Sequence, residues 1–550
     1  MSALAATAQT FGPALMVATL AAPLVVLAAS LSLRMRDVAW AMAPLAPLPA
    51  LAAAILAIVG APFGAGLPAL RASLWLDRPG AILLAASALI WLVRSVFALT
   101  DGAGRPNADR FAVSWLLTMA GSLGVFIAAD LLTFYLVYAL VSVPAYYLVA
   151  HGDDARSSRA GGVYMAFTLL GEAVLLIAFV LLAAGEPGGS LSIRDVVAAL
   201  PTSPWRDAAL ALLIIGFGMK IGLAPMHGWM PLAYPAAPIP AAAVLSGAAV
   251  KAGVIGLIRF LPFSATLSGW GEALAWAGFV SAFYGVAIGF AQKDPKTVLA
   301  YSSISQMGVI AAALGMGLAS GDQGAALDVA FYAANHALVK AALFLTIGAV
   351  ATLGERRLLP ALIVAGLLGL SLGGLPLTGG ELAKLAVKDV FGGGLAKWAA
   401  TASAAASTAL MLHFVLQLAR SPGDQRASAS PERLWSWLTL AAVSMLVPWL
   451  MFPAIGGSLT DAVAAGPLWD ALWPMLVGAA LALGLWALGD PFPRIPAGDI
   501  VVAEEAGFRR LAPLGALVER LDWSLRQWPA ASLSLLAIAL VIAAAGFDSR

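Results

Sequence analysis

The chain alternates long apolar blocks with short polar connections over nearly its whole length. About sixteen blocks of roughly 20 residues can be traced, the first near 11–33 and the last near 530–547. A backbone that crosses hydrocarbon must hydrogen-bond to itself, so only helices and closed barrels span a bilayer. A helix needs about 20 apolar residues to do so, and the blocks have that length. The pattern predicts an all-α polytopic membrane protein.

The composition narrows the chemistry. Of the 550 residues, 61% are hydrophobic and 11% are charged, whereas about 25% are charged in a soluble protein. A net charge of +2 argues against nucleic acid as a partner. The chain has no cysteine, no dinucleotide-binding fingerprint and four histidines without metal-ligand spacing. We therefore expect no cofactor, no metal and no complete enzyme in this chain alone.

Basic residues are distributed unevenly between alternate loops. With the N-terminus outside, about 18 Lys and Arg residues fall on one side and about seven on the other. This bias predicts a periplasmic N-terminus in a bacterial inner membrane and an even number of spans. No basic segment precedes the first apolar block, which is long enough to span, so we expect a helix there rather than a cleavable signal peptide.

Residues 493–528 interrupt the apolar pattern. Charged residues of both signs are interspersed there with Leu and Trp, which is typical of an amphipathic helix on a membrane surface. We expect such a helix at the cytoplasmic face, followed by one final span in 529–550. A solvated loop is the alternative for 493–528.

Four lysines lie well inside apolar blocks, where a charge costs about 2.5–3.5 kcal/mol on insertion scales. They are Lys220, Lys251, Lys340 and Lys384. One such lysine can be structural, because its long side chain can reach the interface or a partner. Four in one chain favour a relay, since a lysine in apolar surroundings can gain and lose a proton near neutral pH. We expect protons rather than Na⁺, which prefers oxygen ligands.

Two of these lysines adjoin predicted helix interruptions. Lys220 precedes five prolines within 225–240, and Lys384 follows the Gly- and Pro-rich stretch 373–380. Broken helices at membrane depth commonly mark ion sites, and the two positions correspond in two stretches of about 160 residues. The correspondence predicts a duplicated unit of inverted topology.

Three further polar residues extend the candidate path. His336 lies four residues before Lys340 and therefore shares its helix face. Glu172 is a carboxylate inside an apolar block and needs a partner. His413 is either a proton-exit residue or a histidine packed against a neighbour.

Four segments, in order and correctly spaced, resemble the antiporter-like subunits of respiratory complex I. They are GFGMKIGLAPMHGWMPLAYPAAPIPAAAVLSGAAVKAGVIGLIRF (216–260), KDPKTVLAYSSISQMGVI (293–310), NHALVKAALFL (335–345) and LGGLPLTGGELAKLAV (372–387). The resemblance covers roughly 110–420. Its motifs are most similar to those of the M-type chain of complex I and the D-type subunit of Mrp-type cation/proton antiporters. The same family includes subunits of membrane-bound hydrogenases and of inorganic-carbon uptake systems.

The resemblance implies about 14 core transmembrane helices with two inverted five-helix repeats that contain broken helices. About two C-terminal spans joined by the amphipathic segment follow. The resemblance places Lys220 in broken helix 7, Lys251 in helix 8, Lys340 in helix 11 and Lys384 in broken helix 12. The expected regions are N-terminal helices (1–109), first repeat with helices 4–8 (110–265), second repeat with helices 9–13 (266–420), C-terminal helices (421–492), amphipathic segment (493–528) and last helix (529–550).

One position departs from the family pattern. A glutamate of helix 5 normally pairs with the helix 7 lysine, and this chain has Ala139 there. We hypothesise that Glu172, in the next helix, replaces this glutamate from another direction. The alternative is that the first half of the chain no longer translocates protons.

The resulting hypothesis is a proton-translocating subunit that works with other membrane subunits of a complex I-like, Mrp-like or related assembly. It would be the ion-pumping part of an NADH:quinone oxidoreductase-like or hydrogenase-like translocase. Two alternatives stay open. One is a subunit that couples proton influx to a partner such as an inorganic-carbon uptake protein. The other is a structural anchor with an impaired first half-channel. Na⁺ is the second candidate ion.

Overall fold

The computed structural model describes the chain except for residues 1–2, 33, 103–107, 153, 354, 422–430, 490–492, 494, 503–504, 506 and 508–550. Two compact units are present, Met1–Ala497 and Gly498–Arg550. In the second unit, the backbone N–H of Val501 donates to the carbonyl of Gly498 at 2.7 Å. Most of the predicted amphipathic segment and the whole predicted last span lie outside the described residues.

The protein is an all-α polytopic membrane protein, as the apolar pattern predicts. Among the described residues, 12 helical segments are long and apolar enough to cross a bilayer. The N-terminal part contains α1 (Ala3–Ser30), α2 (Arg36–Met42), α3 (Leu48–Val59) and α4 (Arg78–Gly102).

A β-hairpin that the apolar pattern did not predict stands between α3 and α4. Its antiparallel strands are β1 (Phe63–Leu67) and β2 (Ala72–Leu76), with Phe63 opposite Leu76. Asp130 joins the hairpin to the helix Leu131–Ser142. One oxygen of its carboxylate accepts from the backbone N–H of Ser73 at 2.7 Å, and the other caps that helix by accepting from the backbone N–H of Thr133 at 2.8 Å.

The segment that carries the first buried lysines is a series of long and short helices. They are α5 (Ala108–Gly124), α6 (Leu131–Ser142), α7 (Ala145–Val149), α8 (Ala155–Gly185), α9 (Ile193–Ala199), α10 (Arg206–Ile221), α11 (Met230–Ala236), α12 (Ile239–Val244) and α13 (Lys251–Phe260). A π-helical turn, Leu245–Ala249, connects α12 to α13.

The second half of the chain repeats this alternation of long and short helices. Its elements are α14 (Ser268–Phe290), α15 (Pro295–Ser320), α16 (Ala325–Thr352), α17 (Glu355–Gly373), α18 (Gly379–Ala386), α19 (Gly394–Arg420), α20 (Pro431–Met451), α21 (Leu459–Ala462) and α22 (Ala465–Ala487).

Both predicted helix interruptions are present. The first lies between α10 and α11, where Gly222 ends α10 with a left-handed φ of +73°. The second lies between α17 and α18, where Gly374 has a φ of +96°. Glycine adopts such values without the penalty that a side chain brings. Leu377, in the second interruption, has a φ of +62° and adopts this backbone despite its side chain.

The middle of the first unit is almost completely enclosed by protein. The most apolar windows of Ile239–Phe260 and Pro295–Ser320 are fully buried, and that of Ala325–Thr352 is 89% buried. By contrast, the corresponding window of Ala155–Gly185 is only 33% buried, which is typical of a helix that faces lipid. Lys251 and Lys340 belong to the enclosed helices, so their charges are shielded from the hydrocarbon by neighbouring helices.

Candidate functional site

Lys220 lies in the last turn of α10, directly before the first break. Its ammonium donates to Ser142 Oγ at 2.7 Å and lies 5.5 Å from the ring centroid of Tyr138. Ser142 is the last residue of α6 and follows Ala139 by three positions, nearly one helical turn. A hydroxyl one turn further along α6 thus contacts the lysine whose usual carboxylate partner is missing.

Glu172 completes this first group. It lies on α8 with 7% of its surface exposed, close to the Ser142 hydroxyl, and it interacts electrostatically with Lys220. One carboxylate oxygen, Oε1, has no hydrogen-bond partner among the described residues. No direct ion pair joins Glu172 to Lys220 in the described part of the chain. Ser142 therefore lies between the two charged groups, and its own hydroxyl donates to the carbonyl oxygen of Tyr138 at 2.9 Å.

Lys251 follows the π-helical turn and is completely buried. Its ammonium lies 2.9 Å from Nδ1 of His336 on α16 and 3.2 Å from the carbonyl oxygen of Ser246. The π-helical turn leaves this carbonyl free to accept from a side chain, a feature found often at functional sites. The other ring nitrogen of His336, Nε2, has no hydrogen-bond partner among the described residues.

Lys340 lies four residues after His336 on α16 and is also completely buried. It donates to the carbonyl oxygen of Leu299 on α15 at 2.8 Å. No carboxylate forms an ion pair with Lys251 or Lys340 within the described ranges. Lys251, His336 and Lys340 thus share the enclosed centre. If all three were protonated at once, their positive charges would repel one another.

Lys384 lies on α18, after the second break. Its ammonium donates to the carbonyl oxygen of Gly373, the last residue of α17. Glu381, one turn earlier on α18, accepts from the backbone N–H of Leu377 at 2.5 Å. Lys384 therefore bonds to the first end of the interruption, and Glu381 bonds to the backbone near its second end.

A buried polar chain leads from α16 towards α19. Tyr332 donates its hydroxyl proton to Gln306 Oε1 at 2.7 Å, and Gln306 Nε2 donates to Ser407 Oγ at 2.9 Å. A cavity of about 470 Å³ lies beside these groups. We call it the vestibule; its lining includes Gln306, Tyr332, Glu381, Lys384, Ser403 and Ser407.

His413 lies further along α19 and is 8% exposed. Its Nε2 is 2.9 Å from the carbonyl oxygen of Gln292, which follows α14. A hydrogen bond to a backbone carbonyl is typical of a histidine that is packed against a neighbour. The contacts described for its ring are with Gln292, Gln417 and Phe290. None of the four lysines is among these contacts.

Four polar residues of the site were not singled out from the sequence: Ser142, Gln306, Tyr332 and Glu381. Glu381 could have been found, because it is a carboxylate in the same apolar segment as Lys384. The other three carry neutral polar groups, which are frequent in transmembrane helices and give no distinctive signal. Lys296, in the first turn of α15, donates to the carbonyl oxygens of Pro235 and Ala237 at 3.3 and 2.9 Å, at the end of α11.

The arrangement can hold and exchange protons at several buried basic groups. Among the described residues, no three His, Asp or Glu side chains are grouped so that they could hold a metal ion. The fold and the site thus define a multi-pass membrane protein with broken helices and a buried basic axis.

The chain belongs to the family described as NADH:quinone oxidoreductase/Mrp antiporter, transmembrane, which matches residues 128–411. This confirms the resemblance seen in its motifs. The matched region contains both helix interruptions and all four buried lysines.

Curated relatives align with part of the chain. Identity is 31% over 295 residues with hydrogenase-4 component B of Escherichia coli, covering 50% of this chain and 43% of that protein. It is 33% over 250 residues with NADH-quinone oxidoreductase subunit M of Pseudomonas aeruginosa, covering 43% and 48%. It is 33% over 243 residues with the A/B-type component of a probable K(+)/H(+) antiporter of Rhizobium meliloti, covering 44% and 24%. The alignments thus span less than half the length of these relatives.

Two solved structures share the fold. The Mrp complex from Dietzia sp. DQ12-45-1b gives a TM-score of 0.74 at 21% identity, covering 98% of this chain and 63% of the matched chain. The membrane-bound sulfane sulfur reductase, an archaeal respiratory membrane complex, gives a TM-score of 0.65 at 21% identity, covering 84% and 99%. Both neighbours are assemblies in a membrane, so the fold occurs in subunits of membrane complexes.

Proposed function

We propose that this chain is the proton-translocating, antiporter-like membrane subunit of a larger respiratory or antiporter-type complex. Protons would move through the centre of the protein by way of Lys220, Lys251, His336, Lys340 and Lys384. Other membrane subunits would supply the driving reaction, and the protein would lie in a bacterial inner membrane with its N-terminus in the periplasm.

The contact between Lys251 and His336 carries the proposal. Both side chains are 0% exposed, they belong to different helices, and 2.9 Å separates the ammonium from Nδ1. A neutral imidazole that accepts a proton on one nitrogen can release one from the other. His336 therefore provides a way to pass a proton between Lys251 and the neighbouring part of α16, where Lys340 lies one turn away.

The two helix interruptions favour Lys220 and Lys384 as the places where protons enter and leave the path. Lys220 and Lys384 are half-buried, whereas Lys251 and Lys340 are fully enclosed. Each of these two lysines has a carboxylate nearby. Glu172 lies on the other side of Ser142 from Lys220, and Glu381 lies on the same helix as Lys384. Glu172 in this position favours the hypothesis that it replaces the glutamate missing at Ala139. His413, bonded to a backbone carbonyl, is the least supported member of the predicted path.

Proton flux in membrane vesicles from cells that contain the full chain and its partners tests the proposal. Lys220→Ala and Lys384→Ala should each lower flux at least about tenfold, since a positioned proton-transfer group contributes about a hundredfold or more. Lys293→Ala, which removes an exposed lysine, is the matched control and should keep flux. Unchanged flux in both of the first two variants would refute the relay.

Co-purification of the tagged full chain identifies the complex. Quinone-reactive, hydrogenase-like or Mrp-type partners would support the main proposal. A carbonic-anhydrase-like partner would favour the alternative in which proton influx drives inorganic-carbon uptake. A stable complex with no flux in the unaltered protein would indicate a structural anchor.

A further inference from the structure

Glu381 is a buried carboxylate with unequal surroundings at its two oxygens. Its side chain belongs to α18 and is 2% exposed. Oε2 accepts from the backbone N–H of Leu377 at 2.5 Å, whereas Oε1 has no hydrogen-bond partner among the described residues. A carboxylate oxygen buried without a partner is costly. The free oxygen therefore needs a proton or water.

The vestibule can supply that water. Glu381 and Lys384 both line it, and its volume of about 470 Å³ exceeds the roughly 30 Å³ that one water occupies in the liquid many times over. Three hydroxyl residues of α19 line the same space: Thr401, Ser403 and Ser407. Water in the vestibule could thus reach both the carboxylate and the lysine.

The vestibule extends from the enclosed helices α15 and α16 to a place where helix ends meet. Its lining includes residues from the beginnings of α19 and α22, among them Lys397 and Pro467. Lys388 and Asp470 also line it and form an ion pair of 2.8 Å, with side chains 42% and 56% exposed. The exposed pair marks the rim, so the vestibule connects α18 to one aqueous side.

A purely structural role accounts for only part of this geometry. Capping the N–H of Leu377 requires one carboxylate oxygen and can be met by a neutral amide as well. It does not require the second oxygen to be unpartnered, nor a lysine one turn away on the same helix face. Lys384 already has a backbone partner across the break, the carbonyl of Gly373, so it does not neutralise Glu381 by a direct ion pair.

We propose that Glu381 passes protons between the water of the vestibule and Lys384. In the release direction, the Lys384 ammonium loses one proton through water to the Glu381 carboxylate, which leaves a neutral amine and a carboxylic acid. The acid then releases that proton to vestibule water and returns to the carboxylate. Uptake is the reverse, and no oxidant or reductant takes part. This inference rests on the proposed function of Lys384.

Proton flux of Glu381→Gln and Glu381→Asp in vesicles that contain the full chain and its partners tests the exchange. Glutamine keeps the shape and can still bond at Leu377 but cannot cycle a proton, so flux should fall at least about tenfold. Aspartate keeps the acid and should restore most of the flux. Unaltered flux in Glu381→Gln overturns the proposal. So does Glu381→Asp with flux as low as Glu381→Gln, because the acid itself would then not matter.

Thiol labelling tests the water of the vestibule, and the absence of native cysteines removes background. Thr401→Cys, at a half-buried position of the lining, should react with a membrane-impermeant thiol reagent from one side of the membrane only. Ser303→Cys, fully buried on α15 and outside the lining, should not react. Ser303→Cys should stay unreactive in a Glu381→Gln background, which shows that the variant is folded. Failure of Thr401→Cys to react from either side overturns the proposal.

The two proposals can fail separately. If Lys384→Ala abolishes flux while Glu381→Gln keeps it, only the role of Glu381 is wrong. If Lys384→Ala keeps flux, the relay through Lys384 is wrong, and the role of Glu381 falls with it.

Discussion

The ammonium of Lys251 lies 2.9 Å from Nδ1 of His336, and neither side chain is exposed. Lys251 comes directly after a π-helical turn and His336 lies in the middle of an unbroken helix. When the lysine is protonated, Nδ1 accepts and Nε2 must carry the ring proton. A proton that arrives from Lys251 can therefore leave the ring on the side where Nε2 has no partner among the described residues.

Replacing His336 should stop transfer through the centre. His336→Phe keeps a ring of similar size but leaves the Lys251 ammonium without its side-chain acceptor. We expect proton flux to fall at least about tenfold and the free energy of unfolding to fall by about 1–3 kcal/mol for the lost buried hydrogen bond. Vesicle flux and thermal unfolding in detergent measure the two effects. His151→Asn, in the turn before α8, is the control for flux and should leave it unchanged. Wild-type flux in His336→Phe would contradict the pathway.

The Ser142 hydroxyl, which lies between Lys220 and Glu172, gives a second prediction. Ser142→Ala removes the oxygen that accepts from the Lys220 ammonium, while Ser142→Thr keeps it. The alanine variant should reduce flux and the threonine variant should retain more of it, because only the hydroxyl holds the lysine beside the carboxylate. Equal flux in the two variants would show that this hydroxyl has no role.

Glu172 and Ala139 can be exchanged to test whether one replaces the other. Glu172→Ser should lower flux, because Lys220 loses the carboxylate in its surroundings. Adding Ala139→Glu to that variant should recover part of the flux, since it returns a carboxylate to the helix 5 position. A double variant that does no better than Glu172→Ser alone would disprove the replacement.

Gly253 permits the close approach of α13 to the end of α10. A Cβ added there would lie 2.6 Å from Ile221 Cγ2 and 3.0 Å from Lys220 Cβ. Gly253→Ala should therefore destabilise the protein by about 1–3 kcal/mol, as overpacking does, and lower flux by displacing Lys220. Thermal unfolding and flux measure this. Gly366→Ala is matched to it, because an added Cβ there meets no atom within 4 Å, and it should leave flux unchanged.

The rim of the vestibule gives a fifth prediction. Asp470→Asn breaks the exposed ion pair with Lys388, and such a surface pair contributes less than about 1 kcal/mol to stability. Thermal unfolding should thus be unchanged while Thr401→Cys becomes faster to label, because Lys388 is no longer held across the rim. Slower or equal labelling would show that the pair does not restrict access.

The sequence alone determined the membrane class, most of the spans and the positions of both helix breaks. These features are local: apolar length defines a span, and glycine and proline mark an interruption wherever they gather. Lys220, Lys251, Lys340 and Lys384 were also evident, because a charge inside an apolar block is conspicuous without knowledge of its neighbours. Family motifs then gave the four lysines an order.

Only the tertiary structure decided what those lysines contact. Ser142 and Lys220 are 78 residues apart, and Lys251 and His336 are 85 apart. Contacts between such distant residues depend on how helices pack, and a neutral hydroxyl or a backbone carbonyl leaves no pattern in the chain. The hairpin of β1 and β2 was missed for a related reason: its five-residue strands lie among apolar blocks and are held by Asp130 from a later segment. The sequence therefore identified the charges, and the packing of the helices chose their partners.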